Sequence, residues 1–368
     1  MIALTKFAAG CWRWIRKFAA TKRVAGKRIA KKRITLALQG GGSHGAFTWG
    51  VLDKLLEDER IEIEGISGAS AGAINAALLA HGITLAGNAG GRAALSDFWR
   101  TVASKGPVDL IPAPWSGSMG VYGTNSHPAV NTMVFLSRFF SPYQINPFNL
   151  NPLRDILSEQ INFEFLRSEC KIKLFIAATQ VSTGQPRMFS TAELDLEVLL
   201  ASSCLPSLHH PVEVDAEAYW DGGFTANPPL HPLLYECSAN DIVMVILQPH
   251  HRSDTPKTAD EISRRLTEIS FTSALSAELR GIAYAKMEAE RGMFHVGRLD
   301  RRLCRLNLHA IDSQNFMSKL SVLSKFNINP PFIEALRKRG RSHAAAWLSK
   351  NFRLIGARSS FTVETKSG

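Results

Sequence analysis

Two consecutive units, each a short apolar run, a glycine-containing turn and a helical stretch, constrain the fold of this chain more than any other feature. The apolar runs are 34–38 and 61–66, the turns are 40–45 and 67–72, and the helical stretches are 46–57 and 73–81. Strands that alternate with helices in this way pair in parallel and carry helices on the faces of their sheet. The pattern therefore predicts an α/β fold with a mostly parallel central sheet.

Later parts of the chain extend this pattern. Apolar runs predict further strands at 171–179, 212–214, 241–247 and 303–308, and longer periodic stretches predict helices at 259–291 and 331–352. With 368 residues, 45% of them hydrophobic and 20% charged, the chain can bury a large core. Intrinsic disorder and a disulfide-stapled miniature fold are both excluded.

The five cysteines contain no CxxC pair, which argues against a disulfide framework or a clustered zinc site and favours a reducing compartment. No HExxH motif or carboxylate cluster indicates a metal, so we expect neither a metal nor a cofactor. No run of 18 apolar residues predicts a membrane-spanning helix.

The positive charge of the chain is concentrated at its N-terminus. The formal net charge is +11, and eleven of the 43 Lys and Arg residues lie in residues 1–33, which hold no acid. The other 32 cations balance the 32 Asp and Glu residues. Because the body of the protein is neutral, we expect no nucleic-acid partner.

Residues 1–33 predict a basic amphipathic helix. At helical spacing, large apolar side chains form one stripe, opposite Lys6, Arg13, Arg16 and Lys17. The stripe comprises Leu4, Phe7, Cys11, Trp14, Ile15 and Phe18. Such a helix binds an anionic membrane surface reversibly. A helix docked on the domain, a targeting segment and a disordered arm remain as alternatives.

The sequence Gly68-Ala69-Ser70-Ala71-Gly72 lies between a predicted strand and a predicted helix. A GxSxG nucleophile elbow requires this context, because its glycines permit a sharp turn that exposes the serine. A turn of small residues that joins a strand to a buried helix is the alternative interpretation.

Glycines at Gly40, Gly41, Gly42 and Gly45 follow the first strand and precede a helix. Their backbone amides could bind an anion at this point. The same letters satisfy GxGxxG, and Glu62 or Glu64 lies about 20 residues further on, as a dinucleotide site requires. A nucleotide-binding α/β protein without hydrolytic activity is therefore a second hypothesis.

Asp221-Gly222-Gly223 supplies an acid that an acyl-transfer site would need as a base. Aspartate before two glycines is also common in ordinary turns. Trp220 and the aromatic residues between 105 and 150 could shield such an acid from water and raise its pKa.

These three motifs, in this order over about residues 34–247, resemble the patatin-like phospholipase family. The resemblance implies a three-layer α/β/α fold and a Ser-Asp catalytic pair that works without histidine. Carried onto this chain, it assigns Ser70 as nucleophile, Asp221 as general base and Gly40 to Gly42 as the oxyanion hole. It assigns supporting roles to Gly45, Gly68, Gly72, Gly222 and Gly223.

The family usually has arginine before the last glycine of its loop, and this chain has His44 there, so a fixed cation at that position is in doubt. The function implied is that of a lipid acyl hydrolase of the phospholipase A type, acting through an acyl-serine intermediate. An alternative is a Ser-His-Asp esterase in which His250 or His251 is the base. The head group, the acyl position and the oligomeric state are left open.

We expect three segments in the chain. They are a basic amphipathic segment at 1–33, a patatin-like catalytic domain at 34–250 and an α-rich extension at 251–368 that packs on it. The expected location is the cytoplasm, with peripheral membrane association. The proline- and aromatic-rich stretch 105–150 is either a mobile cover over Ser70 or a packed irregular loop.

Overall fold

The computed structural model describes residues 31–104, 139–249, 255–292, 297–320 and 322–363. The described residues from Lys32 onward form one compact unit. Most of the basic segment at the N-terminus, His250, His251 and residues 105–138 of the predicted cover lie outside the described residues.

Within the described residues, eight strands form one sheet in the order β5-β6-β3-β2-β1-β7-β8, and β4 pairs with β3. The strands are β1 Lys32–Leu38, β2 Ile61–Ala69, β3 Lys173–Gln180, β4 Pro186–Ser190, β5 Val212–Val214, β6 Glu217–Asp221, β7 Asp241–Ile246 and β8 Asn307–Asp312. The pairs among β3, β2, β1, β7 and β8 are parallel, whereas β4, β5 and β6 pair antiparallel. The predicted α/β fold with a mostly parallel sheet is confirmed.

Helices connect and cover these strands. They are α1 Gly45–Leu56, α2 Ala71–Ser104, α3 Pro142–Ile145, α4 Pro152–Gln160, α5 Phe163–Glu169, α6 Leu196–Ser202, α7 His231–Glu236, α8 Ala259–Arg291, α9 Arg298–Arg305, α10 Gln314–Met317 and α11 Pro330–Asn351. Short 3-10 helices lie at Gly42–His44, Thr191–Glu193, Gly222–Phe224, Val322–Phe326 and Phe352–Leu354. Helix α2 is broken by the non-helical backbone of Ala86 and Gly87.

Alternate residues of the central strands point to opposite faces of the sheet, which creates two apolar layers. Leu36 and Val243 belong to one cluster, with side chains of α1, α2 and α11. Ala37 and Met244 belong to the other cluster, with side chains of α7, α8 and α9. The sheet is therefore buried between two layers of helices.

The residues after 250 contribute to the same sheet and to its covering layers. Strand β8 pairs in parallel with β7, and α11 packs its Phe332 and Leu336 into the cluster shared with α1. The division into a domain at 34–250 and an extension at 251–368 stays a prediction.

Helices α1 and α11 touch through glycines. A methyl group on Gly340 would collide with the carbonyl oxygen of Phe47, and one on Gly50 would collide with that of Arg337. Two backbones can approach this closely only where no side chain separates them.

We predict that Gly340→Ala lowers the free energy of unfolding by about 1 to 3 kcal/mol, because the added methyl group forces the two helices apart. Urea unfolding followed by circular dichroism measures this change. Gly281→Ala on α8 is the matched control, since nothing lies within 4 Å of the added methyl group there. The control should gain up to about 1 kcal/mol from helix propensity. Equal effects of both variants would contradict the close-contact interpretation.

Candidate active site

Ser70 lies at the carboxyl end of the central strand β2, in the turn that leads into α2. Its backbone has φ of 54°, a left-handed conformation that is uncommon for serine. The Ser70 N–H donates to the backbone oxygen of Ser202 at 3.0 Å, which helps to hold this conformation. Ser70 thus has the strained strand-to-helix geometry of a nucleophile elbow.

The two glycines of the elbow are required by close backbone contacts. A methyl group on Gly68 would lie 2.7 Å from the carbonyl carbon of Gly72, within the turn itself. One on Gly72 would collide with the carbonyl oxygen of Leu38 at the end of β1. Any larger residue would therefore open the turn or push β1 away from it.

The glycine loop after β1 packs directly against this elbow. A methyl group on Gly40 would lie 2.7 Å from both the Ala69 oxygen and the Ser70 Cβ. Gly41 and Gly42 line the same cavity as Ser70. The loop therefore places backbone amides beside the serine.

The Gly40 N–H donates to the side-chain oxygen of Asn227 at 2.6 Å. It is thus already bonded and does not point at a ligand. Within the described residues, the N–H groups of Gly41 and Gly42 have no acceptor. Of the three glycines predicted to form an oxyanion hole, Gly40 therefore anchors the loop, and the other two could donate.

Asp221 reaches the same level of the sheet through strand register. Ala69, the residue before Ser70, pairs with Ala177 of β3, and the next residue, Ala178, pairs with Asp221. The Asp221 Oδ1 accepts the Gly223 N–H at 2.7 Å. Two elements that lie about 150 residues apart in the chain thus bring a serine and an acid to one site.

Asp221 is almost completely buried, at 1% exposure. This burial raises the pKa of Asp221 to about 6, although the Gly223 N–H, the Ser70 hydroxyl and the positive charge of Lys325 each lower it. The Ser70 hydroxyl is close enough to affect the carboxyl group. Its contact with Asp221 is nevertheless looser than a formed hydrogen bond, because Oδ2 has no partner of good geometry among the described residues.

The remaining motif glycines also have no room for a side chain, because neighbouring atoms lie too close to the position of a Cβ atom. A methyl group on Gly45 would lie 2.8 Å from the Ala71 Cβ, and one on Gly222 would collide with the Ala177 oxygen. On Gly223 it would collide with the ring of Phe271 from α8. These contacts fix the glycine loop on the elbow and the Asp221 turn on β3.

A cavity of about 810 Å³ opens beside Ser70 and Asp221. Its walls are mostly apolar and include Trp99, Leu205, Phe224, Leu266, Phe271 and Ile328. Trp220, which the sequence offered as a shield for Asp221, does not line it.

Lys325 is a functional candidate that sequence reasoning missed. It lines the cavity with Ser70 and Asp221, and no local motif marks it. Burial lowers the pKa of Lys325 to about 8, although the negative charges of Glu268 and Asp221 raise it. Lys325 is therefore largely protonated at neutral pH.

His44 is a buried, neutral residue. Its Nε2 lies 2.8 Å from the hydroxyl of Ser324. Burial and the nearby charge of Lys325 lower the pKa of His44 to about 3. His44 therefore does not supply a positive charge in the glycine loop.

The described geometry bears on the alternative interpretations, although His250 and His251 lie outside the described residues. Among the described residues that line the cavity there is no histidine. The Glu64 carboxylate accepts backbone N–H groups of Ser238 and Ala239. Glu64 also lies level with the first residues of β1, and Glu62 lies two residues earlier in β2. Both acids are therefore at the opposite end of these strands from the glycine loop. The described residues hold no group of three or more potential metal-ligating side chains.

Comparisons with known proteins agree with this arrangement of motifs. A family model described as patatin-like phospholipase matches residues 36–234, more than half of the chain. The chain therefore belongs to the patatin-like phospholipase family, and this membership supports lipid acyl hydrolase activity.

The chain is also similar to the crystal structure of VipD from Legionella pneumophila, with a TM-score of 0.41 and 14% sequence identity. The aligned region covers 91% of this chain and 72% of the VipD chain. Comparison with curated proteins finds no match.

We predict that Asp221→Asn changes the pH dependence of stability. The carboxyl pKa is raised from 3.8 to about 6 in the folded state, so between these values the folded protein binds more protons than the unfolded chain. Wild-type stability therefore falls, relative to Asp221→Asn, as pH rises through this window. Between about pH 4.5 and 8 the relative loss should reach about 2 kcal/mol.

Urea unfolding at several pH values measures this difference. Asp215→Asn is the charge-matched control, because Asp215 is an exposed residue in the turn before β6. If wild type and Asp221→Asn keep a constant difference in stability over this range, the carboxyl pKa is not raised by burial.

Proposed function

We propose that this protein is a lipid acyl hydrolase of the phospholipase A type, with Ser70 as nucleophile and Asp221 as general base. The observation that carries the proposal is the shared position of Ser70 and the desolvated Asp221 on one cavity wall, with Asp221 at a pKa of about 6. A carboxylate of this basicity is ionised at neutral pH and is a stronger base than an exposed aspartate.

In the first half of the reaction, Ser70 Oγ attacks the carbonyl carbon of the acyl ester while Asp221 takes the hydroxyl proton. The tetrahedral intermediate then collapses, and the C–O bond to the alcohol breaks. Asp221 returns the proton to the leaving alkoxide, which departs as a free alcohol. An acyl-serine ester remains.

In the second half, a water molecule attacks the acyl-serine carbonyl and gives its proton to Asp221. Collapse of this intermediate breaks the bond to Ser70 Oγ, which takes the proton back from Asp221. The fatty acid leaves and the starting state is restored. One carboxylate thus serves both halves, and no histidine is required.

The N–H groups of Gly41 and Gly42 would stabilise the oxyanion in both intermediates. They line the cavity beside Ser70 and have no acceptor among the described residues. The Asn227 bond to Gly40 would keep the loop in place before substrate arrives. Donors that are already oriented lower the barrier more than donors that must rearrange.

The walls of the cavity support a lipid as substrate. A volume of about 810 Å³ with mostly apolar walls can accommodate acyl chains next to Ser70.

We predict that Ser70→Ala and Asp221→Asn each abolish ester hydrolysis, and that the double variant is little worse than either. Two residues that act as one unit do not contribute additively. In the wild type, kcat/KM should fall as pH decreases below about 6, because protonated Asp221 cannot accept the serine proton. Steady-state hydrolysis of a short-chain ester, together with fluorophosphonate labelling of Ser70, measures both effects.

Asp215→Asn should retain full activity as the control. Activity that survives in Asp221→Asn would disprove the Ser-Asp pair. Loss of activity on replacing both His250 and His251 by Gln would support the Ser-His-Asp alternative instead.

Membrane association is proposed from the sequence of residues 1–33. No helix among the described residues is both long and apolar enough to cross a bilayer. Attraction of the nine cations in residues 1–31 to an anionic surface and insertion of the apolar stripe would instead hold the enzyme at the membrane face.

We predict that deletion of residues 2–31 leaves hydrolysis of a soluble ester within a few-fold of wild type. Binding to anionic vesicles should fall sharply, because nine of the eleven cations and the whole apolar stripe are lost. Raising ionic strength from about 0.05 M to 0.5 M should weaken vesicle binding of the full chain by screening. Vesicle co-sedimentation measures binding, and Trp14→Asp tests the stripe. Equal binding of full-length and truncated protein would contradict the proposal.

A further inference from the structure

Two charged side chains line the described part of the cavity, Asp221 and Lys325. Asp221 has a role in the proposed reaction, whereas the reaction steps leave Lys325 without one. Keeping an ammonium group beside apolar walls costs free energy unless an anion offsets it. The negative charges of Glu268 and Asp221 offset part of this cost, but burial still lowers the pKa of Lys325 to about 8, so a bound anion would stabilise the ammonium charge further.

The backbone at Lys325 is fixed against the glycine loop. The Ser43 hydroxyl donates to the Ser324 oxygen at 2.8 Å, and a methyl group on Gly42 would collide with the Lys325 oxygen. Residues about 280 positions apart in the chain are thus joined next to Ser70. This contact fixes the point from which the Lys325 side chain enters the cavity.

The ammonium group of Lys325 lies towards α8 and Asp221. Its Nζ is 5.5 Å from the centre of the Phe271 ring, and Phe271 packs against Gly223, two residues after Asp221. Its charge also lowers the pKa of Asp221. A positive charge therefore lies in the same cavity as Ser70 and Asp221.

Resting on the function proposed above, we infer that Lys325 binds the phosphodiester anion of a glycerophospholipid and makes the enzyme prefer such substrates to neutral glycerides. In a glycerophospholipid, only a few covalent bonds separate the phosphate from an acyl ester. When that ester lies at Ser70, the phosphate lies close to the reaction centre, where Lys325 can contact it. His44 is neutral and cannot replace Lys325 in this role.

Two substrates with equal acyl chains test the inference: dihexanoylphosphatidylcholine and dihexanoylglycerol. At about pH 7.5, where Asp221 is ionised, Lys325→Met should lower kcat/KM for the phospholipid roughly tenfold to a hundredfold. The value for the glyceride should change less than about threefold. Lys325→Arg keeps the charge and should restore most of the phospholipid activity.

Lys319→Met is the matched control, because Lys319 is exposed on the same segment and does not line the cavity. Equal losses on both substrates in Lys325→Met would place Lys325 in the reaction itself and overturn the inference. A wild-type enzyme that cleaves the glyceride but not the phospholipid would also overturn it; ester hydrolysis by Ser70 and Asp221 would then stand, but not its assignment to the phospholipase A type. A wild type that cleaves neither substrate would contradict the proposed function.

The wild type offers a test that does not depend on a folded variant. Lys325 loses its proton above about pH 8, so KM for the phospholipid should rise between pH 7 and 9 while KM for the glyceride stays level. The charged or titratable groups that act on Lys325 are Asp221, Glu268 and His44. Over this range Asp221 remains ionised and His44 remains neutral. A constant ratio of the two KM values would overturn the inference.

Inhibition by inorganic phosphate tests whether Lys325 binds a lipid head group or a free anion. It lacks acyl chains to fill the cavity, so millimolar phosphate should change wild-type phospholipid hydrolysis by less than about twofold. Strong inhibition by phosphate that Lys325→Met removes would identify a free-anion site and overturn the assignment to a head group.

Discussion

The turns that follow β1 and β2 pack against each other with no side chain between their backbones, and the rest of the site depends on this contact. Gly40 touches Ser70, and Gly72 touches the last residue of β1, Leu38. Because these contacts have no room for a Cβ atom, the left-handed turn at Ser70 and the glycine loop support each other. A side chain at either glycine would move the loop amides away from the serine, whatever its chemistry.

A second constraint is electrostatic. Burial raises the pKa of Asp221 and lowers that of Lys325, so burial favours the neutral form of each residue. Their mutual attraction opposes burial in both cases. With pKa values of about 6 and 8, both groups are charged at neutral pH, as the proposed base and the proposed anion-binding group require. The protonation of either group depends on the other, because they share one cavity.

The sequence predicted the parts of the site that depend on neighbouring residues. The elbow at Ser70 is a local pattern, and β2 ends at Ala69, directly before it. Residues 82–91, which follow the helical stretch predicted at 73–81, are also helical except at Ala86 and Gly87, because Gly82 and Gly90 allow the two halves of α2 to pack closely. Lys325 could not be predicted, since its place results from contacts with residues about 280 positions earlier.

Strand ends form one side of the site, and helices form the other. Strand ends within residues 36–234 position Ser70 and Asp221, whereas α8 and the 3-10 helix at Val322–Phe326 form much of the facing wall. Changes in that wall can alter what the cavity binds without moving the strand ends. The facing wall also affects the proposed base, however. Phe271 packs against Gly223, and the Gly223 N–H donates a hydrogen bond to the Asp221 carboxylate. A smaller side chain at Phe271 would enlarge the cavity and admit water to Asp221, so substrate range and the basicity of Asp221 would change together.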